Sequence, residues 1–258
     1  MKRTLIITLL AVVVAGAALA TDVPNSAAMF PRVFNDCPFS ILTQTNNYPT
    51  YVAFEDVKSN CGTVGFANRH AWRFSQDGAN AQLFANHNGF RFGADVTLSG
   101  TGEGEFGIGI SPWWSQLVDG VFNLRSTDGE VACFGGRLPF YSFTANQGVT
   151  YVKGTTVHLE IVYQPNGLTE LDPATIEYIY GGFTSGPLPF DMGNPEEPYG
   201  IWGILDEATA GGNVQLFLQQ GADDAYLLAE WENITFVDLG DVIAVESATW
   251  SGVKGLFR

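Results

Sequence analysis

The sequence predicts an all-β fold, an antiparallel two-sheet β-sandwich or jelly roll, and three observations carry that prediction. The first is alternation. In segment 89–98, Phe90, Phe92, Ala94, Val96 and Leu98 share one parity, while Arg91, Gly93, Asp95 and Thr97 share the other. Side chains point alternately to the two faces of a strand, so this segment buries one face and wets the other. The second is composition: 30 Gly, 19 Phe, 9 Tyr and 6 Trp stand beside only 15% charged residues, as expected of short strands joined by tight turns. The third is the scarcity of helical periodicity. Only 223–228 could hold one helical turn, and 111–118 reads as a turn or a short helix.

The first twenty residues belong to a different kind of segment. Lys2 and Arg3 precede an apolar run over 5–15, and Ala18-Leu19-Ala20 stands just before Thr21-Asp22. A positive start, a short apolar stretch and a small-x-small ending predict a signal peptide cleaved after Ala20. The competing reading is a membrane anchor, but the stretch 5–20 is short of the ~20 residues a spanning helix needs, and no basic cluster follows it. No later stretch is long enough to span a bilayer. The expected layout is a leader at 1–20, one sandwich domain over 21–239 and a tail over 240–258, in a protein that is secreted, periplasmic or held at the cell surface. The tail carries Trp250, Val253 and Phe257 and ends on Lys254 and Arg258. It reads either as a segment that docks or frays, or as a terminal sorting address.

Charge narrows the partners. The chain carries 12 basic and 27 acidic residues, a net charge of −15; loss of Lys2 and Arg3 with the leader would make it −17. Such a surface repels phosphate backbones, so nucleic acid is excluded as a partner.

Strand candidates follow along the chain at 51–54, 71–74, 82–84, 89–98, 105–110, 139–144, 156–163, 176–180, 200–205, 214–218 and 226–236. Roughly a dozen antiparallel strands fit two packed sheets, with a closed barrel as the competing architecture. The Asp128-Gly129 dipeptide predicts a two-residue hairpin loop, pairing Thr127 with Glu130, Ser126 with Val131 and Leu124 with Cys133. Cys133 then shares the apolar face with Phe122, Leu124 and Val131, and Arg125 meets Glu130 as a diagonal ion pair. Three cysteines in an exported chain permit one disulfide. Cys133 reads as a buried strand residue, whereas Cys37 and Cys61 lie in loop-like surroundings, so a Cys37–Cys61 bridge is expected.

The order of these elements resembles that of the concanavalin A-like lectin and glucanase superfamily. The resemblance runs over 71–239: the alternating strand from Phe90 to Leu98, the glycine-alternating Phe106-Gly107-Ile108-Gly109-Ile110, the Asp128-Gly129 hairpin, the strand from Thr156 to Tyr163, and a closing Trp231-Glu232-Asn233-Ile234-Thr235-Phe236. It is a likeness of pattern without a family motif. It implies a jelly roll with a concave sheet, on which many relatives hold polysaccharide.

Candidate chemistry is sparse. Retaining glucanases of that superfamily place clustered acids on one strand, and the carboxyl pair they need stands about 5 Å apart; this chain has only the i, i+2 pairs Glu103/Glu105 and Glu230/Glu232. His70, His87 and His158 lack zinc-ligand spacing; His70 and His87 read as loop residues, and His158 as an outward polar residue beside Glu160. No cofactor is expected, and a structural calcium is compatible with the acidic composition. The most suggestive stretch is 107–114. Ile108 and Ile110 would face the core, Gly107 and Gly109 would bare the opposite face, and Trp113 and Trp114 would stand beside it. Such a face could stack a sugar ring, with Arg137, Tyr141 and Trp202 as further walls. The leading expectation is a non-catalytic module that binds a polysaccharide or a cell-surface glycan. Two alternatives stay open: a polysaccharide-degrading enzyme (glycoside hydrolase or lyase), and a structural cell-surface protein.

Overall fold

The computed structural model describes residues 22–61, 65–111, 120–135, 137–192 and 202–241. The leader, Trp113, Trp114 and the tail beyond Asp241 lie outside the described residues. In chain order the elements are β1 (Ser26–Asn35), β2 (Ile41–Asn47), β3 (Tyr51–Val57), β4 (Ala67–Ser75), β5 (Asn88–Ser99), β6 (Gly104–Ser111), β7 (Gly120–Arg125) and β8 (Val131–Gly135). There follow β9 (Tyr141–Ser142), α1 (Phe143–Gln147), β10 (Thr156–Gln164), β11 (Thr175–Tyr180), β12 (Phe183–Thr184), β13 (Leu188–Pro189), β14 (Thr209–Phe217) and β15 (Tyr226–Asp241).

Two sheets result. One has the order β1-β4-β14-β6-β7-β8-β9; the other runs β12-β11-β10-β5-β15-β3-β2, with β13 pairing β11. Every named strand pair is antiparallel. The chain crosses between the sheets repeatedly, from β3 to β4, β4 to β5, β5 to β6 and β14 to β15. The fold is therefore a two-sheet antiparallel jelly-roll sandwich, not a closed barrel.

The core between the sheets is aromatic because the alternation places it there. Phe90, Phe92, Ala94, Val96 and Leu98 of β5 are buried together with Leu159, Ile161 and Tyr163 of β10, Phe106, Ile108 and Ile110 of β6, and Phe122 and Leu124 of β7. Trp72 and Trp231 meet edge-on across the sandwich, ring centroids 6.2 Å apart. Gly212 makes room for that crossing, because a Cβ there would stand 2.6 Å from the Trp231 indole. Overpacking of this kind is itself destabilising.

Several elements differ from expectation. β1 and β2 carry no clear alternation: Pro31 and Arg32 interrupt β1 where its register with β4 shifts, and β2 is a polar edge strand. Segment 139–144 is not one strand. It becomes β9 and the short α1, because the Ser142 hydroxyl accepts from the Ala145 N–H and so caps a helix. Segment 82–84 offers only the single bridge Phe84–Ala208, and residues 223–228 run into β15 instead of forming a helical turn.

The hairpin register is shifted by two residues. Leu124 pairs with Val131 and Phe122 with Cys133, and the Arg125 N–H donates to Glu130 O. Ser126 leaves the ladder because its N–H bonds the Gly104 carbonyl and its hydroxyl donates to Glu103 and to Gly104 O. Gly129 alone takes the left-handed conformation, φ +75, so the loop has four residues instead of two. Parity survives a two-residue shift: Cys133 still faces the core, and Arg125 meets Glu130 at 2.6 Å, now directly across the strands.

Cys37 and Cys61 are disulfide-bonded, and Cys133 is free and buried. The bridge closes a loop of sequence separation 24 and fits an oxidising compartment. Cys37→Ser with Cys61→Ser is expected to cost about 3 kcal/mol by loop-closure entropy. Denaturant unfolding of the oxidised parent and the double variant measures it, and equal midpoints would contradict it.

Candidate functional site

The two outer faces of the sandwich differ in kind. On the eight-stranded sheet, Asp95, His158, Glu160, Glu230 and Glu232 project from β5, β10 and β15 and are part or fully exposed. His158 Nδ1 stands 2.8 Å from Asp95 Oδ1 directly across the ladder, and Asn233 Nδ2 donates to Asp95 Oδ2 at 2.8 Å. This face is acidic and wet.

On the seven-stranded sheet the outer face is cationic, rich in amides and sheltered. Register sets it out in three rows. In the first, Arg69 of β4 lies beside Gln215 of β14, Gln215 beside Glu105 of β6, and Glu105 beside Arg125 of β7. The second runs Ala71, Asn213, Gly107, Asn123. The third runs Arg73, Gly211, Gly109, Val121. Residues two apart on a strand place successive rows about 7 Å apart. Arg69, Arg73, Asn123, Asn213 and Gln215 are only 2%, 8%, 4%, 4% and 3% exposed, so these polar groups lie deep although they point away from the core.

The glycines are part of the construction. Gly107, Gly109 and Gly211 put backbone where side chains would otherwise stand between Arg73 and Asn123, and all three are buried. A Cβ on Gly107 would collide with the Phe122 carbonyl oxygen. From beneath, Trp231 Nε1 donates to Gly107 O at 3.0 Å and ties the floor to the core.

Hydrogen bonds and charge hold the polar groups in place. Asn123 Nδ2 donates to Glu105 Oε2 at 2.9 Å, and Gln215 Nε2 reaches Glu105 Oε1 at 3.4 Å. Arg73 Nη1 donates to Trp72 O and Gly212 O at 2.7 and 3.0 Å. Burial, then the charge of Arg73, pulls the Arg69 guanidinium well below its usual value, and Glu105 partly restores it. Burial lowers Arg73 to about 10, which leaves it charged at neutral pH. Burial raises the Glu105 carboxyl, against the hydrogen bond from Asn123 and the charges of Arg69 and Arg125.

The residues picked out from sequence fall as follows. Ile108 and Ile110 are core, and Gly107 and Gly109 lie on the outer face. Arg137 is buried, with Nε donating to Gly203 O at 3.3 Å, so it adjoins the backbone next to Trp202. Trp202 is part-buried, and its carbonyl accepts from Ala174 N at 2.8 Å. Tyr141 pairs with the core-facing Cys133 and packs edge-on against Phe143 at 4.9 Å; its hydroxyl accepts from Gln147 Nε2. It therefore stands on the core side of β9. His70 is a buried residue of β4, not a loop residue. Glu103 is engaged by Lys153 at 2.9 Å, and Glu230 accepts from the Tyr51 hydroxyl at 2.8 Å. Among the described residues no group of three or more His, Cys, Asp or Glu side chains could hold a metal ion, and no helix is long and apolar enough to cross a membrane.

Arg69, Arg73, Asn123, Asn213 and Gln215 escaped the sequence reading. Their signal is the alternation Asn68-Arg69-His70-Ala71-Trp72-Arg73-Phe74, in which two of the chain's few basic residues share a parity opposite to the aromatic one. A strand taken as 71–74 cuts that pattern in half.

No protein-family model matches the sequence, and no curated protein is similar to it. Among solved structures, the chain is similar to the alginate lyase from Klebsiella pneumoniae, with 11% identity, a TM-score of 0.47, and coverage of 83% of this chain and 95% of that one. An alginate lyase from Pseudomonas aeruginosa gives 10% identity and a TM-score of 0.47, covering 83% and 98%. The carbohydrate recognition domain of Emp47p gives 10% identity and a TM-score of 0.41, covering 86% and 92%.

Proposed function

We propose that the protein is an exported glycan-binding module whose ligand is an anionic polysaccharide lying across the outer face of the seven-stranded sheet. One observation carries the reading: in a chain of net charge −15, Arg69, Arg73 and Arg125 lie on one sheet face among the amides of Asn123, Asn213 and Gln215. Arginine side chains are suited to recognising anions. Carboxylates or sulfates of a sugar chain supply such anions, and a guanidinium receives them through two parallel hydrogen bonds. Amides of Asn123, Asn213 and Gln215 are suited to sugar hydroxyls, since each both donates and accepts. The glycine strip leaves no side chain standing between these groups.

Among the described residues no His or Tyr projects from the strands of this face, and its carboxyls Glu105 and Glu130 are engaged by Asn123 and Arg125. Binding is therefore the reading these residues favour over bond cleavage. Titration calorimetry of the purified chain against polygalacturonate and against a neutral glucan of similar length tests it. Binding to the first alone, weakening as salt is added, is the expected result. Equal binding to both, or to neither, overturns it, and release of new reducing ends would move the protein to the degrading class.

A further inference from the structure

The outer face of the eight-stranded sheet carries a motif that binding on the opposite sheet does not use. Asn233-Ile234-Thr235 is the one Asn-x-Ser/Thr triplet of the sequence in which x is not Pro. Such a triplet is the acceptor for N-linked sugar in secreted chains. In an unbroken strand Asn233 and Thr235 would share the side of Trp231, which is fully buried, and the triplet would lie in the core. β15 is not unbroken. Glu232 pairs with Asp95 and Thr235 with Gly93, so Asn233 and Ile234 together stand opposite Ala94 alone. The extra residue is a β-bulge, and it reverses the parity of the residues after it. Ile234 turns inward and is 5% exposed, while Asn233 and Thr235 turn outward and are exposed.

Residues just before β3 hold the bulge in place. The Asn233 N–H donates to Thr50 O at 3.3 Å, and the Ile234 N–H donates to Pro49 O at 2.9 Å. Asn233 sits at φ 51, in the left-handed region that Asn enters more readily than most residues. Its Nδ2 donates to Asp95 Oδ2 at 2.8 Å, which occupies one of the two amide hydrogens. We propose that Asn233 is an N-glycan attachment site, kept accessible in the folded chain by the bulge. The donor is a lipid-linked oligosaccharide pyrophosphate. The carboxamide nitrogen forms a bond to C1 of its first sugar, the bond from C1 to the pyrophosphate breaks, the lipid pyrophosphate leaves with the electron pair, and the amide gives up one proton. The second N–H remains for Asp95. Thr235 lies across from Gly93, which has no side chain. The Cys37–Cys61 bridge fits the oxidising compartment of an exported chain. The sugar covers Asp95, His158 and Glu232 and leaves the outer face of the seven-stranded sheet open.

Mass spectrometry of the protein isolated from its own cells, on the intact peptide that carries Asn233, tests the assignment. The expected result is a peptide heavier than its sequence by a sugar chain, with sugar ions released on fragmentation and the attachment localised to Asn233. Two variants made in the same cells complete the test. Asn233→Gln removes the acceptor nitrogen from its position, and Gln is less suited to a left-handed φ. Thr235→Ala removes the hydroxyl of the triplet and leaves Asn233 in its own conformation, so it separates loss of sugar from loss of fold. Sugar should be absent from both, and an unfolding curve of Thr235→Ala should show a cooperative transition. Should neither variant fold, the parent protein alone decides. A bare Asn233 in the parent overturns the proposal, and so does sugar that stays on Asn233 in Thr235→Ala.

Discussion

Asp56→Ala is expected to unfold about 3–5 kcal/mol more easily than the parent, the range for removing one partner from a buried charged network. Asp56 projects from β3 into the space between the sheets and is 2% exposed. Its Oδ2 stands 3.0 Å from His70 Nε2 and accepts from Asn68 Nδ2 at 2.9 Å. The His70 tautomer follows from its other contact: the N–H of Arg32, at the β1 irregularity, donates to Nδ1 at 2.9 Å, so the proton sits on Nε2 and points at Asp56. Asn68 also accepts from the Cys37 N–H, and the Arg32 guanidinium donates to Asn35, to the Ser40 hydroxyl, and to the carbonyls of Cys37 and Ser40. One cluster thus joins β1, β3, β4 and the disulfide loop. Without Asp56, both the His70 N–H and an Asn68 N–H lose a buried acceptor, and a buried donor left unmade costs more than the bond was worth. Denaturant unfolding measures the loss; a change below about 1 kcal/mol would show that solvent replaces the carboxylate.

The same cluster sets an acid limit. Burial alone would raise the Asp56 carboxyl, but hydrogen bonds from His70, Ser40 and Asn68 outweigh it and hold it below its ordinary 3.8. A folded-state pKa below the unfolded one gives stability that is complete above about 4 and drains away as pH falls through the lower value. Asp56→Asn should therefore flatten the acid limb of the stability profile. Glu105 acts in the opposite sense: its raised pKa favours the folded state below the ordinary range and withdraws that support as pH rises.

Faces were more legible in the sequence than partners. Alternation alone places Phe90 to Leu98, Ile108, Ile110 and Cys133 on the core side, because parity is local and survives an error in register. The bridge between Cys37 and Cys61 was legible by elimination, once Cys133 was assigned to a strand. β1 was not legible, since Pro31 breaks its pattern, and β2 was not, since an edge strand has no need to alternate. His70 reads as a loop residue because its acceptor and donor, Asp56 and Arg32, are 14 and 38 residues away. The outer-face site is hidden for a related reason. Arg69, Gln215, Glu105 and Arg125 form one row only after β14 has been inserted between β4 and β6, and no local pattern specifies that insertion.

Arg69→Met is expected to weaken polygalacturonate binding by about 30-fold or more, corresponding to the 2–5 kcal/mol typical of removing one partner of a desolvated charge pair. Its unfolding free energy is measured beside binding, because removing a buried guanidinium also unmakes its contacts within the fold. The substitution removes a charge that burial and Arg73 both disfavour, and it also removes an attraction that helps keep Glu105 ionised. A methionine fills much of the volume without a charge. The pairing of the two measurements matters more than either. A structural arginine would lose stability and binding together, as misfolded variants do. An arginine that receives an anionic ligand loses binding beyond what the change in stability explains, and that loss should shrink as salt is raised, since salt screens the interaction in the parent and has less to screen in the variant.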